Sequence, residues 1–191
     1  MIDIKIQFHY SVPYDELLSI SSLGEFSHSQ AVVAKHYIES LESFWREESK
    51  KIVPSIEKVT GLKFRGNVDC YVVSNMLFEA ISHPFTIKMD SDFSKLRGIF
   101  VHELLHILFV QNGTKALPVV NQLYGDHNYK VHFPVLLCEK RVLEQVYKSS
   151  ERQKRVEDLD YVWKDVEKVY PLFRSYKGGV IQFLHKHVIH P

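Results

Sequence analysis

The sequence predicts an α+β domain, with strands in its first half and helices in its second. Three observations carry that expectation. Residues 2–8 alternate apolar and polar side chains, residues 93–111 form one long apolar stretch of helical length, and after residue 130 only helical periodicity is found. A chain of 191 residues suits one domain, or one domain with a helical appendage, and can bury a full core without disulfides. The division expected is residues 1–150 as the main domain and 151–191 as a C-terminal helical extension packed on it.

The elements follow in order. Ile2-Asp3-Ile4-Lys5-Ile6-Gln7-Phe8 has the period of a half-buried strand. From about Ser29 to Val59 the pattern is helical, with Val33, Tyr37, Leu41, Phe44 and Trp45 on one stripe. Pro54 is expected to kink or divide that helix, and Gly61 to stop it. Val68–Ser74 reads as a second strand and Pro84–Met89 as a third, the leading proline favouring an edge position. Asp90-Ser91-Asp92 caps a helix from about Phe93 to Gln111, which Asn112-Gly113 ends. Residues 114–130 read as an irregular connector. A helix from about His132 or Phe133 to Lys148 follows, then two more, broken near Tyr170-Pro171 and at Gly178-Gly179.

Composition narrows the function classes. A formal net charge of +1 recommends neither nucleic acid nor an anionic membrane as a partner. Cys70 and Cys138 stand far apart and outside any CxxC pattern, which argues against a disulfide scaffold and a cysteine zinc site and fits a reducing compartment. The first residues lack the apolar run of a signal peptide, and no stretch has the length of a bilayer span, so a cytoplasmic protein is expected. Nucleophile elbows, phosphate loops and dinucleotide fingerprints are missing.

The segment that carries chemistry is His102-Glu103-Leu104-Leu105-His106. Helix residues four apart share a face, so the two imidazoles project side by side and both can reach one ion at about 2.0 to 2.1 Å. Glu103, one position on, suits a general base acting on a water that zinc has acidified towards pKa ~7. The flanks Ile99, Phe100, Val101, Ile107, Leu108, Phe109 and Val110 imply burial, and burying two histidines and a carboxylate is costly unless something satisfies them. A Zn2+ ion does so directly.

Phe100-Val101-His102-Glu103-Leu104-Leu105-His106-Ile107-Leu108 resembles the active-site helix of the zincin metallopeptidases. The order strand, long helix, strand, strand, motif helix is similar to the zincin plan over about residues 2–148. The resemblance implies a small mixed sheet with long helices, an edge strand along the substrate, zinc as cofactor and a peptide or protein as substrate. Metzincins carry glycine and histidine three and six places past the second motif histidine; Phe109 and Asn112 stand there, which excludes that subgroup. The chain looks closer to minimal gluzincin-like scaffolds, although no glutamate with a nearby aspartate clearly marks a later helix. Deformylases use the same motif with an upstream cysteine. Cys70 lies in that direction, but inside a strand pattern and without that family's glycine-rich segment.

A catalytic zinc takes three protein ligands and leaves one place for water. His132 and Glu139 lie seven residues apart on nearly one face, about 10 Å along the axis, so one ion is not expected to bind both. Glu139 reads either as a glutamate ligand or as a surface charge in Glu139-Lys140-Arg141; His132 reads as a ligand or as a satisfied core or capping histidine. We choose His132. His127, Tyr124 and Tyr129 are weaker candidates for metal binding or for polarising a carbonyl. His28, His36, His83, His185, His187 and His190 read as loop or solvated side chains. The expectation is therefore a zinc-dependent peptidase with metal ligands His102, His106 and His132 and general base Glu103, pairing its substrate with the Pro84–Met89 strand. The alternative is a non-catalytic binding or regulatory protein on the same scaffold.

Overall fold

The computed structural model describes residues 4–22, 26–27, 29–90, 92–148 and 159–189. Expectations for Ile2, Asp3, His28, Ser91, His190 and the 149–158 junction lie outside those residues. The fold is α+β. Strands β1 (Ile6–Tyr10), β2 (Val68–Val73), β3 (Ala80–Ser82) and β4 (Phe85–Lys88) form one mixed sheet in the order β1-β2-β4-β3. β1 pairs with β2, and β2 with β4, in parallel; β3 alone is antiparallel, paired with β4. In β2, Val68, Cys70 and Val72 are buried and Asp69 is exposed, the alternation expected of a strand with one packed face.

The position of β4 corrects the expectation for Pro84–Met89. That strand is interior, hydrogen-bonded to β2 on one side and β3 on the other. Pro84 lies just ahead of it, where its missing N–H is not needed by either ladder, so the proline does not force an edge. The edge beside it is β3, which α3 packs against.

The helices are α1 (Val12–Ser21), α2 (Gln30–Thr60), α3 (Phe93–Gln111), α4 (Gly113–Val120), α5 (His127–Tyr147), α6 (Asp160–Ser175) and α7 (Val180–Leu184), with a π-helical turn at His185–Ile189. α2 runs undivided through Pro54, because Ile52, Ile56 and Val59 bury themselves on both sides of it. Gly61, at φ 72°, ends it in the left-handed conformation. Of the expected stripe, Leu41 and Trp45 are buried and Tyr37 and Phe44 partly so, whereas Val33 is exposed. α6 likewise continues through Pro171, with Tyr170 and Phe173 buried. The break falls at 176–179, where Gly179 lies so close to Thr60 O and Gly61 that no side chain fits.

α3 is the central helix. Its buried residues run from Leu96 through Leu108 on every face, the signature of a helix enclosed by others. Asp92 caps it by accepting from Ser94 N–H at 2.9 Å. Phe100 is fully buried where β1, β4 and α2 meet, stacked on Trp45 at 4.7 Å and edge-on to Phe8 and Phe85. The connector expected at 114–130 is largely helical instead. Asn112 ends α3 and begins α4, its Nδ2 donating to Leu108 O and Lys63 O, both at 2.9 Å. α5 begins at His127, about a turn earlier than expected, capped by Asp126 accepting from Tyr129 N–H. Val162, Val166, Phe173, Val180 and Phe183 belong to the same core cluster as α3 and α5. Among the described residues, no helix is long and apolar enough to cross a membrane.

Candidate metal centre

α3 and α5 pack together, and the site lies on their contact. His102 and His106 come from successive turns of α3 and His132 from the second turn of α5. Ligand nitrogens of the three lie within 4.8 Å of one another. Ring centroids are 4.7 Å apart for His102–His106, 5.0 Å for His106–His132 and 5.8 Å for His102–His132. His102 is 2% exposed, while the other two are half-buried, so the cluster has a floor and an open side.

The hydrogen bonds set the tautomers. His102 Nδ1 is 2.7 Å from Glu139 Oε2, and an ionised carboxylate only accepts, so Nδ1 carries the proton. His132 Nδ1 must likewise donate to Asn128 O at 2.9 Å. In a neutral ring this leaves Nε2 of both His102 and His132 without a proton of its own, as an acceptor. His106 Nε2 faces His102 Nε2 at 3.0 Å. Two ligand atoms at 2.0 to 2.1 Å on a tetrahedral ion stand about 3.4 Å apart, so these nitrogens are near the separation a shared cation needs. The three imidazoles could therefore hold a metal ion between them.

Glu139 is not a surface charge. It is 2% exposed and meets His102 of α3, while Lys140, 9% exposed, reaches Glu167 of α6. Its carboxylate holds a histidine by the nitrogen away from the cluster, as outer-shell carboxylates do in zinc enzymes. The seven-residue spacing from His132 was visible in the sequence; which of the two would meet His102 Nε2 and which Nδ1 was not.

Glu103 is 5% exposed. It follows His102 by about 100° around the helix, and its charge reaches the thiol of Cys70, which burial and then Glu103 push well up. Cys70 is not among the clustered ligand atoms. The weaker candidates fall elsewhere. His127 is exposed at the first position of α5, Tyr124 is 96% exposed, and Tyr129 O–H donates to Asp165 Oδ2 at 3.2 Å on α6. His83 is exposed in the β3–β4 turn, and His187 packs edge-on to Tyr176 and tilted against Phe183.

Known proteins do not decide the matter. No family model, no curated protein and no solved structure matches this chain. The site has to be read from its own atoms.

Proposed function

We propose that the protein is a zinc-dependent metallohydrolase, with a peptide or protein as its substrate. The observation that carries this reading is the triad of His102, His106 and His132, whose ligand nitrogens lie within 4.8 Å of one another, with two of the rings held by Nδ1 hydrogen bonds. Zinc, when bound there, supplies a Lewis acid and lowers the pKa of water to about 7. His102 and His106 would hold it from α3, and His132 would complete the set from α5. Glu103 takes the proton from the attacking water and returns it to the departing amine, the role its place beside both histidines on α3 suits. Glu139 keeps His102 in the ligating tautomer. The half-buried sides of His106 and His132 leave the approach for a carbonyl.

The sheet edge supports an extended substrate, with the docking strand revised. β4 has both edges taken, whereas β3 ends the sheet next to α3, so a peptide adding to the sheet on this side pairs with Ala80–Ser82.

The decisive experiment combines metal analysis with a broad peptide-library screen on protein purified without a histidine tag. About one zinc per chain is expected, lost in His102→Ala and retained in Glu103→Gln, with cleavage abolished in both. Wild-type protein that binds no added zinc refutes the reading. Zinc bound without cleavage of any library member refutes the hydrolase and leaves a metal-binding module.

A further inference from the structure

The C-terminal halves of α5 and α6 enclose a second feature that the metal site does not use. It is a groove of about 550 Å³ lined by Arg141, Glu144, Gln145, Lys148, Tyr170 and Arg174. Three cations face one carboxylate there. That carboxylate is already engaged, Glu144 Oε2 accepting from Tyr170 O–H at 2.6 Å and pairing with Arg174 Nε at 3.3 Å. Among the described residues, no carboxylate pairs with Arg141 or Lys148.

Arg141 is the unusual member. Its guanidinium lies over the Phe173 ring at 4.7 Å and donates through Nη2 to Tyr176 O at 2.8 Å. Among the described residues, its Nε and Nη1 are buried without any hydrogen-bond partner. Donors left unmatched out of water are costly, and an anion in the groove beside this guanidinium would offset that cost electrostatically. Helix dipoles do not account for it. Lys148 and Arg174 stand in the last turns of α5 and α6, where a cation is favourable in itself, but Arg141 lies nearly two turns before the end of α5.

We propose that this groove binds the phosphoryl group of a small phosphorylated molecule. A dianion matches the surplus of cations. Planar guanidinium donors match its oxygens in a way a lone ammonium cannot. Gln145 also lines the groove, its Oε1 accepting from Ser55 O–H at 3.2 Å. A phosphoryl group fills only part of a cavity of this size, so the rest of the ligand lies over Tyr170 and Gln145.

The test is calorimetric titration of the full chain with inorganic phosphate and with pyrophosphate, using succinate as a carboxylate dianion of similar charge. Saturable binding with Kd on the order of 0.1 to 1 mM is expected for the phosphates, weakened about tenfold in Arg141→Gln. Lys148 is exposed, so Lys148→Gln keeps the fold and weakens binding about threefold even if Arg141→Gln proves unstable. The titration is repeated in His102→Ala, because anions also bind an open zinc site; groove binding survives that change. Absence of saturable heat to about 10 mM overturns the proposal. So does binding lost in His102→Ala but kept in Lys148→Gln. Succinate binding as tightly as phosphate overturns the phosphoryl assignment.

Discussion

Replacing Glu139 by glutamine separates a zinc ligand from a residue that orients one. Glu139 Oε2 and His102 Nδ1 are 2.7 Å apart, with side chains only 2% and 3% exposed, so the pair is shielded from water. The amide of Glu139→Gln fits the same space and still accepts from Nδ1–H, but the charge that makes His102 a better donor to a metal is gone. Loss of such an outer partner weakens metal binding about 10- to 100-fold, or about 1.4 to 2.7 kcal/mol. His132→Ala removes a donor atom itself and should cost more, to the point of losing stoichiometric zinc. The assay is competition for zinc against a chromophoric chelator, with metal content after gel filtration as a second readout. The expected order of affinity is wild type, then Glu139→Gln, then His132→Ala, with about one zinc per chain retained in the glutamine variant. The reverse order would show that Glu139 ligates and His132 does not; equal affinity in wild type and Glu139→Gln would remove the orienting role.

Three further outcomes test the scaffold. Phe100→Ala deletes a fully buried ring between Trp45, Phe8 and Phe85 and should cost about 3 to 5 kcal/mol in urea unfolding; a loss under about 1 kcal/mol contradicts the packing described. Tyr147→Phe removes the O–H donated to the buried carboxylate of Glu48, which Arg97 Nη2 also contacts at 3.2 Å. About 1.5 to 3 kcal/mol should go, and Arg97→Met should unfold the chain more readily still because Glu48 then keeps only the exposed Lys51, at 3.9 Å, as a cation. Tyr10 is pushed up to about 12, by burial and then by its bond to Asp15, and Tyr37, Tyr129, Tyr147 and Tyr170 are raised mainly by burial. A raised folded-state pKa means that the native protein keeps protons the unfolded chain releases. Stability should therefore be intact below pH ~10 and fall as pH rises from there through the native values. Tyrosinate absorbance and circular dichroism should change together; free ionisation at pH ~10 without loss of structure contradicts the burial.

The sequence revealed elements where packing follows the usual hydrophobic pattern and concealed them where it does not. α3 was legible because it is apolar on all sides and bounded by a capping aspartate and Asn112. α1 was not, and its residues show why: Asp15 and Ser19 are its buried positions, while Leu17 and Ile20 are each 62% exposed. Asp15 is inside because it accepts from Ser74 N–H, Ser74 O–H and Tyr10 O–H at 2.7 to 2.9 Å, joining α1 to β1 and to the end of β2. No periodicity rule reaches a helix held by a buried carboxylate. The prolines misled in the opposite direction. Pro54 and Pro171 each forfeit one backbone bond, but apolar residues on both sides remain buried, and that burial outweighs the loss.

The metal centre shows the same division between local and non-local information. His102 and His106 are fixed by helix geometry alone, since a spacing of four places them together wherever the helix goes. The third position depends on how α5 lies against α3. Two turns of α5 present His132 and Glu139 on one face, and a shift of one turn along the contact would exchange which of them meets the motif histidines. In the packed structure the two are complementary rather than competing. His132 stacks on the His102 ring with centroids 5.8 Å apart, and Glu139 takes the Nδ1 side of His102 as a carboxylate acceptor. The chemistry of the site thus depends on the register of two helices. That register is held by Phe133, Leu136, Leu137 and Val142 of α5, all buried in the core shared with α3. A change of volume at these positions should disturb zinc affinity without touching a ligand.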